Sequence, residues 1–128
     1  MDKLRVWFRD IKNGIENLFT WFPVIWKDHQ WDQAYIYYIL RKKLRLMEKF
    51  YKEGNTYATT APRTLREIKI CRILLDRMIK DDYLPDSFLD EEDRKKCKRM
   101  ADHAEMQEKQ DVELLFTLMK KHIRTWWD

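Results

Sequence analysis

Apolar side chains recur at three- and four-residue intervals through the first part of the chain, at Leu4, Trp7, Phe8, Ile11, Ile15, Leu18, Phe19 and Phe22. That spacing puts them on one face of a helix predicted to run from about Leu4 to Phe22. Pro23 predicts an end or a kink, because proline lacks the amide donor and crowds the preceding turn. The aromatic corner that follows, Trp21 to Trp31, suits a short helix beginning near Pro23, since proline is well placed in a first turn. A second long helix is predicted from Trp31 to Lys52. Ile36, Ile39, Leu40, Leu46, Met47 and Phe50 share its inner face, while Arg41, Arg45, Glu48, Lys49 and Lys52 point largely outward. Gly54 and Asn55 supply its stop signal.

A polar link from Asn55 to Pro62 leads into a third helix, predicted from Pro62 or Arg63 to Asp82, with Ile68, Cys71, Leu74, Leu75, Met78 and Ile79 as its stripe. Leu84 and Pro85 break the pattern, and Asp86 or Ser87 is placed to cap a short turn. Asp90, Glu91, Glu92 and Asp93 then sit where a helix start favours negative charge. The fourth helix is expected to continue nearly to Trp127, with Cys97, Met100, Ala104, Leu114, Leu115, Leu118, Met119 and Trp126 inward. The pattern therefore predicts an all-α fold of about four long helices in an antiparallel bundle, with a short aromatic-rich helical corner after the first and residues 1–128 as a single domain.

Composition narrows the function classes more than the fold. With 45% apolar and 38% charged residues the chain has material for a core and for its solvation, so disorder is a poor description. Only Gly14 and Gly54 are glycines, which argues against glycine-rich phosphate loops. Cys71 and Cys97 have no CxxC partner and read as apolar fillers in a reducing compartment. No run of 18 apolar residues exists, so a spanning helix and a membrane partner are not expected, and Asp2, Asp10 and Glu16 argue against a secretory signal. The net charge of +4 lies wholly in residues 1–60, which hold eleven basic and seven acidic side chains, against fifteen of each in residues 61–128. Arg41, Lys42, Lys43, Arg45, Lys49 and Lys52 account for most of it, as a solvated face or as a surface for an anionic partner.

Polar residues that fall on apolar faces are the sharper signal. At about 100° per residue, Asp32 and Lys43 lie inside the stripe of the second helix. Glu67 and Asp82 lie on or beside the stripe of the third, and Asp111, Glu108 and His122 along that of the fourth. Buried, such groups need partners. In one reading Asp32, Lys43, Glu67, Asp111 and His122 form a buried network in which Lys43 pairs with Asp111 or Glu67 and fixes register. In the other, Asp32, Glu67, Glu108 and Asp111 surround a cavity and hold magnesium for nucleotide hydrolysis. The Glu-x-x-His pairs of bundle di-metal sites are absent, and Glu105 with Glu108 has no clear second pair, so no metal is favoured.

His29, His103 and His122 lie in no HExxH motif, and Ser87, the only serine, has no nucleophile elbow, so an enzyme is not the favoured reading. Trp7, Trp21, Trp26 and Trp31 are placed to wedge the N-terminal segment against the bundle, with Trp126 and Trp127 closing another end. Exposed members of the group could instead anchor a partner.

Three stretches, Trp21 to Tyr51, Arg63 to Tyr83, and the ending DVELLFTLMKKHIRTWWD from Asp111, together resemble small bacteriophage-encoded proteins without an assigned biochemical role. The resemblance spans most of the chain in order and is most specific around Asp111, Leu115, His122, Trp126, Trp127 and Asp128. It implies expression in an infected bacterial cell and carries no catalytic pattern. The leading expectation is a non-enzymatic protein of the bacterial cytoplasm that binds a host or phage protein, with self-association as a homodimer possible. Its anchors would be Trp26, Trp31, Trp126 and Trp127, with Arg41, Arg45 and Lys49 steering an acidic partner. The alternatives are the magnesium-dependent hydrolase and a nucleotide or nucleic-acid sequestering protein, whose signature is strong salt dependence.

Overall fold

A computed structural model describes residues 2–54 and 61–126. It is all-α, with α1 (Asp2–Ile25), α2 (Ala34–Lys52), α3 (Ala61–Lys80) and α4 (Arg94–His122), and no strand among the described residues. Short 3₁₀ turns lie at Asp86–Asp90 and Ile123–Thr125. The link Asn55–Thr60 and the terminal Trp127 and Asp128 lie outside the described residues.

Local chemistry accounts for the ends. α1 runs on past Pro23 to Ile25 rather than stopping there. The missing proline amide would have bonded one turn back, and the helix ends two residues later, so only its last turn is affected. The aromatic corner is a pair of turns and not the expected short helix, closed by Asp28 N–H to Ile25 O at 3.1 Å and Asp32 N–H to His29 O at 3.0 Å. Asp32 starts α2, its Oδ1 accepting the Ala34 N–H at 3.0 Å. Gly54, at φ 71°, takes the left-handed conformation expected after that helix and donates to Tyr51 O at 3.3 Å. Asp81 takes the corresponding left-handed place after α3, at φ 51°. Asp93 caps α4, its side chain accepting the Lys95 N–H at 3.0 Å.

The chain divides into two compact units, residues 1–39 and 40–128. In the first, the apolar stripe of α1 lies on one face as its spacing dictates, but no residue of α1 is buried. Its stripe side chains range from 41% exposed at Ile11 to 78% at Phe19. Of the tryptophans expected to act as a wedge, Trp21 is half-buried within this unit, and Trp7, Trp26 and Trp31 are exposed.

In the second unit, α3 is the central element. Thr64, Ile68, Cys71, Leu74, Leu75 and Met78 are buried along it, which is the predicted stripe with Thr64 added and Ile79 only half-buried. Opposite it α4 contributes Ala104, Asp111 and Leu115, and Trp126 closes the end. Side-chain pairing gives the directions: Glu67 near the start of α3 meets Trp126, while Arg77 near its end meets Asp111, so α3 and α4 run antiparallel. Arg41 and Glu48 of α2 meet Asp76 and Arg72 of α3 in the same reversed order. The inner face of α2 differs from the expected one. Leu44 and Tyr51 are its buried residues, and Ile36 is 60% exposed. That is a rotation of roughly 100°, one residue's worth.

Candidate functional site

Glu67 organises one end of the second unit. Its Oε2 accepts the Trp126 indole N–H at 2.9 Å, and its Oε1 lies 3.4 Å from His122 Nδ1 and 3.6 Å from Arg63 Nε. The Tyr51 hydroxyl donates to the Trp126 backbone carbonyl, tying the end of α2 to the same residue. Burial raises the Tyr51 hydroxyl above its ordinary pKa. Beneath this cluster the Cys71 thiol is pushed up to about 11, first by burial and second by the Glu67 charge, so it stays a neutral thiol and packs as an apolar side chain.

Asp111, buried at 5% exposure, is satisfied separately. Tyr83 donates its hydroxyl to Asp111 Oδ2 at 2.8 Å, and Arg77 Nη2 lies 3.3 Å from the same oxygen. Burial and then the Asp111 acceptor hold the Tyr83 proton on far above its ordinary range.

A third set joins α2 to α3. Arg72 forks onto Glu48, Nε to Oε2 at 2.6 Å and Nη2 to Oε1 at 3.3 Å, and its Nη1 reaches Asp76 Oδ2 at 2.8 Å. The other Asp76 oxygen receives Arg41 at 3.5 Å and Arg45 at 3.2 Å. The Glu48 acceptor is the largest influence raising the Arg72 pKa. Two members of the basic face expected to steer a partner are thus paired with α3, and Lys49 lies 3.9 Å from Glu53 within α2.

The five residues expected to form one buried network are not one network. Glu67 and His122 meet, Asp111 pairs elsewhere, Asp32 starts α2, and Lys43 is exposed. Lys43 pairs with neither Asp111 nor Glu67, because both carboxylates take donors from other elements. It stands at the rim of an apolar groove of about 260 Å³ lined by Leu40, Leu44, Met47, Tyr51, Met119 and Trp126. Of the four carboxylates proposed for magnesium, Glu108 borders a separate depression of mixed lining with Tyr83, Leu84, Ala104 and Glu105. Among the described residues no group of three or more His, Cys, Asp or Glu side chains is placed to hold a metal ion. Among the expected tryptophan anchors, Trp126 is a core residue at 4% exposure and Trp127 lies outside the described residues, whereas Trp26 and Trp31 are 71% and 78% exposed. Trp31 stacks on His29 at 4.8 Å and 10°, and Trp26 tilts against Phe22 at 4.9 Å.

Tyr51, Tyr83, Arg72, Arg77 and Asp76 were not singled out by sequence. Only the Arg72 and Asp76 spacing of four, which places them one turn apart, hinted at an ion pair. Tyr83 follows α3 in a segment without periodicity and gave no signal.

The chain matches no protein-family model, no curated protein and no solved structure. The resemblance to phage proteins gains no support from these comparisons. No described helix is long and apolar enough to cross a membrane.

Proposed function

We propose that this is a non-enzymatic interaction protein that binds another protein through its N-terminal unit, with the second unit as a scaffold in which Asp111 and Glu67 are paired. The observation that carries this reading is the exposed stripe of α1. Its eight side chains retain on the order of 800 Å² of apolar surface if an aromatic offers about 150–250 Å² and an aliphatic somewhat less. The largest apolar patch on a typical monomer is about 300–600 Å², and larger ones mark interaction sites. Exposed Trp26 and Trp31 extend the same unit with the residue type that dominates binding hot spots. By resemblance, the setting is the cytoplasm of an infected bacterium and the partner a host or phage protein. The hydrolase reading needs converging carboxylates, and Glu67 and Asp111 have different partners.

The test is affinity capture from infected cells with the full chain and with a Leu18→Asp/Phe22→Asp variant, reading proteins and small molecules together. A protein retained by the wild type and lost with the variant supports the reading. Retention of a nucleotide, or capture indifferent to the two substitutions, overturns it.

A further inference from the structure

We propose that the α1 surface pairs with α1 of a second copy of this chain, the two helices running antiparallel. This rests on the interaction reading and names its partner. The stripe residues Leu4, Trp7, Phe8, Ile11, Ile15, Leu18, Phe19 and Phe22 have a spacing that reads the same from both ends, centred on Asn13. Reversed against itself in that register, the stripe sets Leu4 opposite Phe22 of the second copy, Trp7 opposite Phe19, Phe8 opposite Leu18, and Ile11 opposite Ile15. Every apolar level of one helix then meets an apolar level of the other. A two-fold axis requires such self-complementarity, since each contact must occur twice.

Flank charges in this register are mixed, and the apolar levels carry it. Arg5, Lys12 and Glu16 project on one flank of the stripe, with Arg9 further round and 4.0 Å from Asp10, and antiparallel pairing brings that flank against its own copy. Glu16 of the second copy falls level with position 10, about 1.5 Å along the axis from Arg9 and about 3 Å from Lys12. Lys12 of the second copy falls level with position 14, so each Lys12 has the other lysine and a Glu16 carboxylate at the same axial distance of about 3 Å, and Glu16 is what separates the two like charges. Within one chain Lys12 lies 3.9 Å from Glu16, with side chains 76% and 62% exposed, a pair worth little and easily exchanged for one across an interface. On the other flank Asp10 comes level with Asn17 of the second copy within one residue, so no like charges face each other there. The exposed stripe, on the order of 800 Å² of apolar surface, sets the upper limit of what it can bury, and that limit is of the size each partner contributes to a standard interface, about 800 Å². A lipid surface fits less well. Asp2, Asp10 and Glu16 nearly cancel Lys3, Arg5, Arg9 and Lys12, whereas interfacial helices carry a strongly cationic polar face.

Sedimentation equilibrium of the full chain over about 1 to 100 µM should show its mass doubling within that range. Ile11→Asp/Ile15→Asp should remain monomeric throughout. Glu16→Lys should weaken association about ten-fold or more by setting like charges face to face. Arg9→Glu/Lys12→Glu/Glu16→Lys, which reverses the flank while preserving its complementarity, should recover it. All of these positions are exposed in α1, and an unchanged unfolding transition of the second unit confirms that its fold is intact. A wild type that is monomeric at every concentration overturns the proposal, as does a triple variant no better than Glu16→Lys. So does a monomer that pellets with phosphatidylcholine and phosphatidylserine vesicles, which would make lipid the occupant. A monomeric wild type whose captured partner is still lost with Leu18→Asp/Phe22→Asp would remove the second copy and leave the interaction reading standing.

Discussion

Removing the Glu67 carboxylate strands the Trp126 indole N–H in the core and takes the oxygen away from His122. Glu67→Leu is therefore expected to destabilise the chain by about 1–3 kcal/mol, the cost of a buried donor left unsatisfied. Glu67→Gln keeps an acceptor for the indole and should lose less; urea unfolding of both variants checks the order. Cys71 gives a pH dependence of definite sign. Its thiol titrates near 9.0 when exposed and near 11 in the fold, so the unfolded chain gives up its proton first. The stabilisation is complete below about pH 9 and is lost as pH rises towards 11, amounting to about 2–3 kcal/mol. Denaturation midpoints at about pH 8 and pH 11 should converge in Cys71→Ala more than in the wild type. If the alkaline loss is undiminished in Cys71→Ala, the thiol is not its source. Which residues are polar exceptions was legible in sequence, because helical phase exposes them. Their partners were not: Asp111 takes its proton donor from Tyr83, outside any helix, and nothing periodic announces such a residue.

At the scale of elements, α3 was read almost completely because its apolar residues fall on one face and its charges on the other. α2 was misread in phase because Leu44, Leu46, Met47, Phe50 and Tyr51 surround much of its second half, so periodicity alone does not select the inner side. The choice falls to pairing: Arg41 and Glu48, read as outward, meet Asp76 and Arg72 and turn Leu44 and Tyr51 into the core. Asp76→Ala should then cost about 1–2 kcal/mol, since three arginines lose a common acceptor that is partly screened by solvent. Neutralising Lys49, paired only within its own helix turn, should cost much less. The acidic start of α4 was legible as a group, with the capping role falling to Asp93. Asp93→Ala should lower stability by about 1 kcal/mol, read from the same unfolding curves.

For the molecule as a whole, sequence reveals that α1 has an apolar face but not what covers it, because amphipathicity is the same whether the partner lies in the same chain or another. This difference sets how stability is distributed along the chain. A helix of 24 residues with no buried side chain lacks the packing of an amphipathic face that supplies most helical stability in proteins. Residues Ile68 to Met78 of α3, by contrast, belong to the buried centre of the second unit and open only with it. Hydrogen exchange of a dilute sample should show the amides of Asp2–Ile25 exchanging orders of magnitude faster than those of α3. Raising the protein concentration through the association range should slow exchange in α1 and leave α3 unchanged, since only the α1 face gains a partner. The Ile11→Asp/Ile15→Asp variant should lose that concentration dependence. Protection of α1 equal to that of α3 at the lowest concentration would mean that its apolar face is already covered within a single chain, and the interaction surface would then have to be sought elsewhere.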